Sequence, residues 1–253
     1  MKKGIKPILV LVSGGSGSGK TTVAELIKKN IPKGCTAEVI SFDNFYLSKE
    51  KIKTDNYDSP EAIDWFSARE AVSFLVENNT AYNMPIYDYH TRTVNSTVKV
   101  KPANVIIFEG ILSLYNDDIR NMADIKIFVD VPDDERLIRR VLRDQEHRGA
   151  DLVQTVKMWR ETVIKMHQKY VEPTKFISDI IIPWSNPNMV PIKAISGALE
   201  YMIYSKRSAL LAEITEKEAK VLVKKNEQEK SAAINSATKS PTKNITSDNN
   251  KNK

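Results

Sequence analysis

The run Ser13-Gly14-Gly15-Ser16-Gly17-Ser18-Gly19-Lys20-Thr21-Thr22 limits this chain more than any other. From Gly14 to Thr21 it fits G-x-x-x-x-G-K-[ST], the loop whose backbone N–H groups wrap a polyphosphate. Glycine lets the backbone come close to the oxygens. Lys20 would reach the β- and γ-phosphates and the Thr21 hydroxyl would ligate Mg²⁺. The flanks agree. Ile8 to Val12 is an apolar, β-branched run that reads as a buried strand, and Val23 to Lys29 follows at helical spacing. A helix N-terminus then lies beneath the phosphates. A Gly/Ser-rich flexible linker is the competing reading, but such linkers rarely join a buried strand to an amphipathic helix. Gly14, Gly15, Ser16, Gly17, Ser18, Gly19, Lys20, Thr21 and Thr22 are therefore expected to hold a nucleoside triphosphate.

The chain has 253 residues, enough for one large α/β domain with appendages. Cys35 is the single cysteine, so no internal disulfide forms. Met1-Lys2-Lys3 ahead of Ile8 to Val12 resembles a signal peptide only faintly, because the apolar run is short and leads into Gly14 and Lys20. No stretch approaches membrane-spanning length, so a cytoplasmic protein is expected. The net charge is +6, and Arg207 to Lys253 carries ten Lys/Arg against six Asp/Glu. Four of the six excess charges thus lie in that tail, with almost no aromatic residues, and no specific nucleic-acid partner is expected. Leu210 to Val223 can extend a helix, and disorder is expected from about Asn226.

Strand and helix patterns alternate after the loop, which predicts a mostly parallel sheet covered by helices. Ala37 to Phe42 reads as a strand ending at Asp43, and Ser48 to Ser59 is irregular. Pro60 opens a helix striped by Trp65, Ala68, Ala71, Val72 and Leu75. Pro85 to Lys101 is an antiparallel excursion. Val105 to Phe108 and Ile125 to Asp130 are strands, Asp133 to about His147 a helix, Ile180 to Ile182 a last strand, and about Val190 to Tyr204 a last helix.

Three acids end strands, where doubly wound sheets carry their ligands. Glu109, behind Val105-Ile106-Ile107-Phe108, suits the metal side. Asp43, in Asp43-Asn44-Phe45-Tyr46, suits a base that takes a proton from an acceptor hydroxyl. An N-cap or turn role competes for each, and Asp130 fits that role best. Arg136, Arg139, Arg140, Arg143 and Arg148 crowd one helix, with Arg136, Arg140 and Arg143 on a shared face. A lid of this kind lays positive charge over a transferring phosphoryl group. A solvated helix paired with Asp133, Asp134, Glu135 and Asp144 is the alternative.

Over about Ile8 to Ile203 the sequence resembles the uridine–cytidine kinase family of phosphate-loop nucleoside kinases. The resemblance rests on Gly14 to Thr22, Asp43-Asn44-Phe45-Tyr46, Asn56-Tyr57-Asp58-Ser59-Pro60 and Pro85-Ile86-Tyr87-Asp88-Tyr89. It continues through Phe108-Glu109-Gly110-Ile111-Leu112, Arg139 to Asp144 and Asp179-Ile180-Ile181-Ile182-Pro183. It implies a three-layer P-loop NTPase-like fold with a β-hairpin excursion and an arginine-bearing helical lid. Residues 1–206 would form the kinase domain, with an acceptor segment at about 55–101 and a lid at about 133–160. Residues 207–253 would be a charged helical extension and disordered tail.

The implied reaction is transfer from ATP (or GTP), with Mg²⁺, to the 5′-hydroxyl of uridine and cytidine. Asp43 would be the base, with Thr21 and Glu109 in the Mg²⁺ network and Arg143 and Arg148 over the phosphates. Asp58 and Arg140 would hold the sugar. Tyr87 and His90 would read the pyrimidine, walled by Tyr46, Tyr57 and Tyr89, and Trp184 to Asn188 would border the adenine. A homo-oligomer, commonly a tetramer, is also implied.

Three positions depart from the family pattern. His90 stands two residues nearer to Tyr87-Asp88-Tyr89 than usual. Ala150 follows Arg148-Gly149 where an arginine is common, and Met158 replaces a glutamine. Losing polar contacts can redirect a substrate site, which leaves open a kinase of another small alcohol such as phosphoribulose or pantothenate. A nucleotide-dependent switch is the other alternative, though no Asn-Lys-x-Asp segment is present.

Overall fold

The computed structural model describes residues 5–52, 56–78 and 80–237. The signal-like start at Met1 to Lys3, residues 53–55 where the acceptor segment is expected to begin at about 55, and residues 238–253 of the tail lie outside these. So do the side chains of Arg148 and of residues 232–237. The chain divides into two compact units, Met1–Lys206 and Arg207–Lys253.

In the first unit the apolar runs become a parallel sheet. Its strands are β1 (Ile8–Gly14), β2 (Ala37–Ser41), β5 (Val105–Glu109), β6 (Ile125–Asp130) and β7 (Ile180–Pro183), in the order β2-β5-β1-β6-β7. β1 is central and buried throughout. Its alternate residues enter two cores, as the period of a strand requires. Leu9 and Leu11 pack with Phe42, Phe108, and Ala68, Ala71, Val72 and Leu75 of α2 (Trp65–Glu77). Ile8, Val10 and Val12 pack with Val23 and Ile27 of α1 (Lys20–Lys29) and with Ile192, Ile195 and Leu199 of α7 (Met189–Ala237). Helices thus cover both faces, as the alternation predicts.

The excursion is an antiparallel hairpin, β3 (Tyr82–Asp88) and β4 (Thr93–Val100), with a register shift between Ile86 and Tyr87. Between β5 and β6 lies α3 (Asp117–Met122). After β6 come α4 (Asp133–Arg148) and α5 (Leu152–Met158), then a helical stretch with two π-turns, Trp159–Val163 and His167–Val171, around the single turn α6 (Ile164–Met166).

Three expectations shift. β2 stops at Ser41, because the Ser41 hydroxyl accepts the Asp43 N–H and starts the 3₁₀ turn Phe42–Phe45. Pro60 opens only a 3₁₀ turn, Pro60–Ala62; α2 begins five residues later, where Asp64 accepts the Ser67 N–H as its N-cap. The final helix does not end near Tyr204 or dissolve at Asn226 but runs to Ala237. Its later part is rich in Ala, Glu and Lys, good helix formers even with little to pack on, and Lys217–Glu213, Lys220–Glu216 and Lys225–Glu229 pair at i,i+4.

Candidate active site

The loop after β1 turns back through residues 15–19 into α1. Gly19 takes a left-handed conformation (φ 87°), and the Ser18 N–H closes onto the Gly15 carbonyl at 3.0 Å. No side chain caps α1, so its first N–H groups keep the unsatisfied donors that suit an anion. Thr21 and Thr22 stand exposed in that first turn.

Neighbouring strand ends bring the acids alongside. Glu109 is paired in register with both Val12 and Ser41. It is only 4% exposed, and its Oε2 is buried with no hydrogen-bond partner. Burial lifts its carboxyl above the ordinary carboxylate range, while Lys20 and the Thr21 and Ser41 hydroxyls pull it down and Asp43 pushes it up. A partnerless buried carboxylate oxygen beside a phosphate-loop threonine and lysine fits a divalent cation. Among the described residues no three His, Cys, Asp or Glu cluster as a metal cage, and Mg²⁺ in phosphate sites asks for fewer protein ligands than that.

Asp43 sits in the 3₁₀ turn after β2, and the Tyr89 hydroxyl donates to its Oδ2. Burial also lifts Asp58 above its ordinary value, countered first by Arg140 and then raised by Asp43. Tyr46 packs edge-on to Tyr57 and Tyr87, with ring centroids 5.4 Å apart in each pair, and Tyr87 stands 5.4 Å from Tyr89. The hydroxyls of Tyr57 and Tyr87 are both buried, and the two side chains interact with each other. Burial pushes the Tyr87 phenol well up.

The arginines of α4 divide by position. Arg140 Nη1 donates to Ser16 Oγ at 2.9 Å, its Nε lies 3.4 Å from Asp144, and its Nη2 lies 3.7 Å from Met158 Sδ. Arg143 Nε donates to Asp144 at 3.0 Å. Arg139 instead holds the carbonyls of Trp184 and Ser185 at 3.2 and 2.7 Å. Arg136 shares the helical face of Arg140 and Arg143 but does not reach the cleft. It is 1% exposed and lies under the phosphate loop. The shared face is correct, yet α4 runs past the loop, so successive turns meet different surroundings.

One cleft of about 850 Å³ joins these groups. Ser16 and Lys20 line it from the phosphate loop, Asp43, Tyr46, Tyr57, Asp58, Tyr87 and His90 from the acceptor side, and Arg140 and Arg143 from α4. Asp130 stays outside as expected, bound to Lys175 Nζ at 2.8 Å. Arg92 and His147 also line the cleft though no pattern singled them out. Among the described residues Arg92 is the non-glycine residue with positive φ (55°), its guanidinium 5.6 Å over the Tyr57 ring. Its place two residues after His90, on the same hairpin turn, was the signal available.

Residues 9–191 match the model of the phosphoribulokinase / uridine kinase family. A uridine kinase of Ureaplasma urealyticum is 38% identical over 196 residues, covering 75% of this chain and 94% of that protein. A uridine kinase of Lactobacillus helveticus is 40% identical over 205 residues, covering 78% and 96%. Among solved structures, one described as a possible uridine kinase from Bacillus stearothermophilus superposes with a TM-score of 0.52 at 19% identity, over 71% of this chain and 90% of that one. D-glycerate 3-kinase from Cryptococcus neoformans does so at 0.50 and 15%, over 67% and 81%. The two structures share the fold, and the family model spans most of the chain from β1 into α7; the chain belongs to the phosphoribulokinase / uridine kinase family.

Proposed function

We propose that this chain is a uridine kinase, transferring the γ-phosphoryl group of ATP to the 5′-hydroxyl of uridine, with cytidine as a second acceptor. The observation that carries the reading is the single cleft in which phosphate-loop Lys20 and Ser16 face Asp43, Asp58, Tyr87 and His90. A polyphosphate and a flat hydroxylated acceptor can lie in one enclosure, which an in-line transfer requires. The relatives named above support the substrate.

In this reading Gly14 to Thr22 wrap the triphosphate of ATP, the donor we favour over GTP, and Thr21 with Glu109 holds Mg²⁺. Bound there, the ion would neutralise charge on the phosphates. Asp43 accepts the proton of the acceptor hydroxyl as its oxygen attacks phosphorus. Lys20, Arg140, Arg143 and Arg148 stabilise charge on the transferring group. A carboxylate at Asp58 takes two ribose hydroxyls, beside Arg140. Tyr46, Tyr57, Tyr87 and His90 receive the pyrimidine, and the buried Tyr57 and Tyr87 hydroxyls offer it hydrogen bonds. Residues 1–206 form the catalytic domain, with the acceptor segment at 55–101 and the lid at 133–160. One cysteine, and no described helix long and apolar enough to cross a membrane, support a cytoplasmic enzyme. A homo-oligomer, by resemblance a tetramer, is part of the proposal.

The test is ADP release with Mg-ATP and, in turn, uridine, cytidine, adenosine, pantothenate, ribulose 5-phosphate or no acceptor. Stimulation by uridine is expected, and Asp43→Asn should lower kcat by roughly 10²–10⁴-fold while ATP still binds. Stimulation only by pantothenate or ribulose 5-phosphate would move the chain to the alternative, for which the apolar Met158 beside Arg140 speaks. Turnover independent of acceptor would replace the kinase by a nucleotide switch.

A further inference from the structure

Among the described residues Arg136 is the largest of the almost fully buried side chains, and a buried guanidinium must have its five N–H donors met. Nε donates to the Val131 carbonyl at 3.1 Å, Nη2 pairs with Asp133, and Nη1 reaches the Ser16 carbonyl at 3.4 Å. The flat face lies 5.1 Å from the Trp159 ring, in the first π-turn. Burial lowers its affinity for the proton, and Asp133, Glu172 and Asp130 offset part of that. His167, buried beside it, is held toward the neutral form by burial and by the Arg136 charge itself. The surroundings thus keep one cation here, directly beneath the loop.

The same side chain accounts for two glycines that the phosphate motif leaves free. The motif requires Gly14 and Gly19; Gly15 and Gly17 occupy its x positions. A Cβ on Gly15 would overlap the Arg136 guanidinium, 2.6 Å from Cζ and 2.9 Å from Nε. A Cβ on Gly17 would overlap the Arg136 backbone carbonyl, and Gly17 also has φ +81°. Gly15 is not among the positive-φ residues, and the nearest obstacle to a side chain there is the arginine.

We propose that Arg136 is a positioning residue for phosphoryl transfer: its buried guanidinium, packed against Gly15 and bonded to the Ser16 carbonyl, holds the phosphate loop in its nucleotide-binding shape. By fixing the Ser16 carbonyl toward α4, it leaves the loop's N–H groups turned to the phosphates. The inference rests on the kinase reading, but it concerns the donor side alone.

The test is a double-mutant cycle in the full chain with Arg136→Ala and Gly15→Ala, and Gly17→Ala as the contrast. ATP binding, KM for ATP, kcat and KM for uridine are measured, with melting temperature alongside. Arg136→Ala is expected to weaken kcat/KM for ATP by on the order of 100-fold, as a misplaced binding group does, and to leave KM for uridine within about two-fold. Gly15→Ala should show the same signature in the parent and add little in the Arg136→Ala background, because the clash has gone. Gly17→Ala should remain harmful in both backgrounds, since its obstacle is backbone. Arg136→Lys should recover part of the loss, and Arg136→Met, which keeps the packing, should not. If Arg136→Ala does not fold, Arg136→Met and Gly15→Ala decide the matter by their ATP KM. A fall in melting temperature with ATP KM and kcat unmoved, or equal Gly15→Ala costs in both backgrounds, would overturn the proposal. A parent protein that binds no ATP or ignores uridine would instead sink the kinase reading.

Discussion

The Tyr89 hydroxyl donates to the Asp43 carboxylate, joining the turn of the hairpin to the end of β2 across 46 positions of chain. Asn44 adds a second tie, its side-chain oxygen accepting the Tyr87 N–H at 3.4 Å. A carboxylate has room for several donors, so Tyr89 can orient Asp43 while an acceptor hydroxyl binds. Tyr89→Phe removes that restraint and leaves the ring contact with Tyr87 in place. It should lower kcat for uridine roughly ten-fold, the worth of a hydrogen bond to a charged group, with KM for ATP unchanged. An unaltered kcat would mean that Asp43 is held by other means.

Glu109 makes stability depend on pH in a direction opposite to that of an ordinary paired carboxylate. Its folded pKa is raised above the ordinary 4.5 by burial. Between those values the folded protein keeps a proton that the unfolded chain has released. Stability therefore falls as pH rises through that window and levels off above it. Asp58, raised from 3.8 by burial, acts with the same sign. Glu109→Gln removes one share. In Mg²⁺-free buffer its melting temperature should gain on the parent from acid to neutral pH. With Mg-ATP present the order should reverse, because the glutamine cannot replace the carboxylate at the cation. A constant gap across pH would show that Glu109 does not titrate in this way.

The strands and the loop were legible because each is written locally. Val105-Ile106-Ile107-Phe108 can be stable only when buried, and Gly14 to Thr21 carries its chemistry in its spacing. The acids at strand ends followed, since the edge of a parallel sheet is where its ligands bind. What stayed hidden depends on partners distant in sequence. Helical periodicity put Arg136 on one face with Arg140 and Arg143, but not which surface each turn would meet. Arg136 met the loop 120 residues away. The Tyr89–Asp43 bond and the Arg92–Tyr57 stacking likewise form between segments with no periodic relation. Asp64 shows the reverse case: a short-range cap overrode the expectation drawn from Pro60.

Met158 places a thioether 3.7 Å from Arg140 Nη2, at the position where the resemblance to the nucleoside kinases implies a glutamine. Sulfur is a weak acceptor and donates nothing. Met158→Gln would give Arg140 an amide oxygen and turn an NH₂ group toward the acceptor side of the cleft. The expected result is a KM for uridine lower by about five-fold, the worth of one net hydrogen bond, with kcat within about two-fold. A KM that rises or stays fixed would place Met158 outside acceptor recognition and make the sulfur contact a packing choice.

The segment beyond Lys206 is a charged helix whose pairs lie on its surface, Lys217–Glu213 and Lys220–Glu216 at 2.6 Å each. Exposed pairs of this kind are worth a few tenths of a kcal/mol. Lys206 itself is different: its Nζ donates to the Pro7 carbonyl at 3.3 Å and to Asp124 at 3.2 Å, tying α7 to the start of β1. A chain ending after Arg207 keeps that tie and loses most of the positive excess of the tail. It should retain its activity and melt within about 2 °C of the parent, as expected when under 1 kcal/mol is removed from a domain this size. On a polyanion column at low salt it should elute earlier, because retention depends on the number of cations engaged. Unchanged retention would assign the polyanion affinity to the folded unit, with Arg92, Arg140 and Arg143 of the cleft as the first residues to substitute.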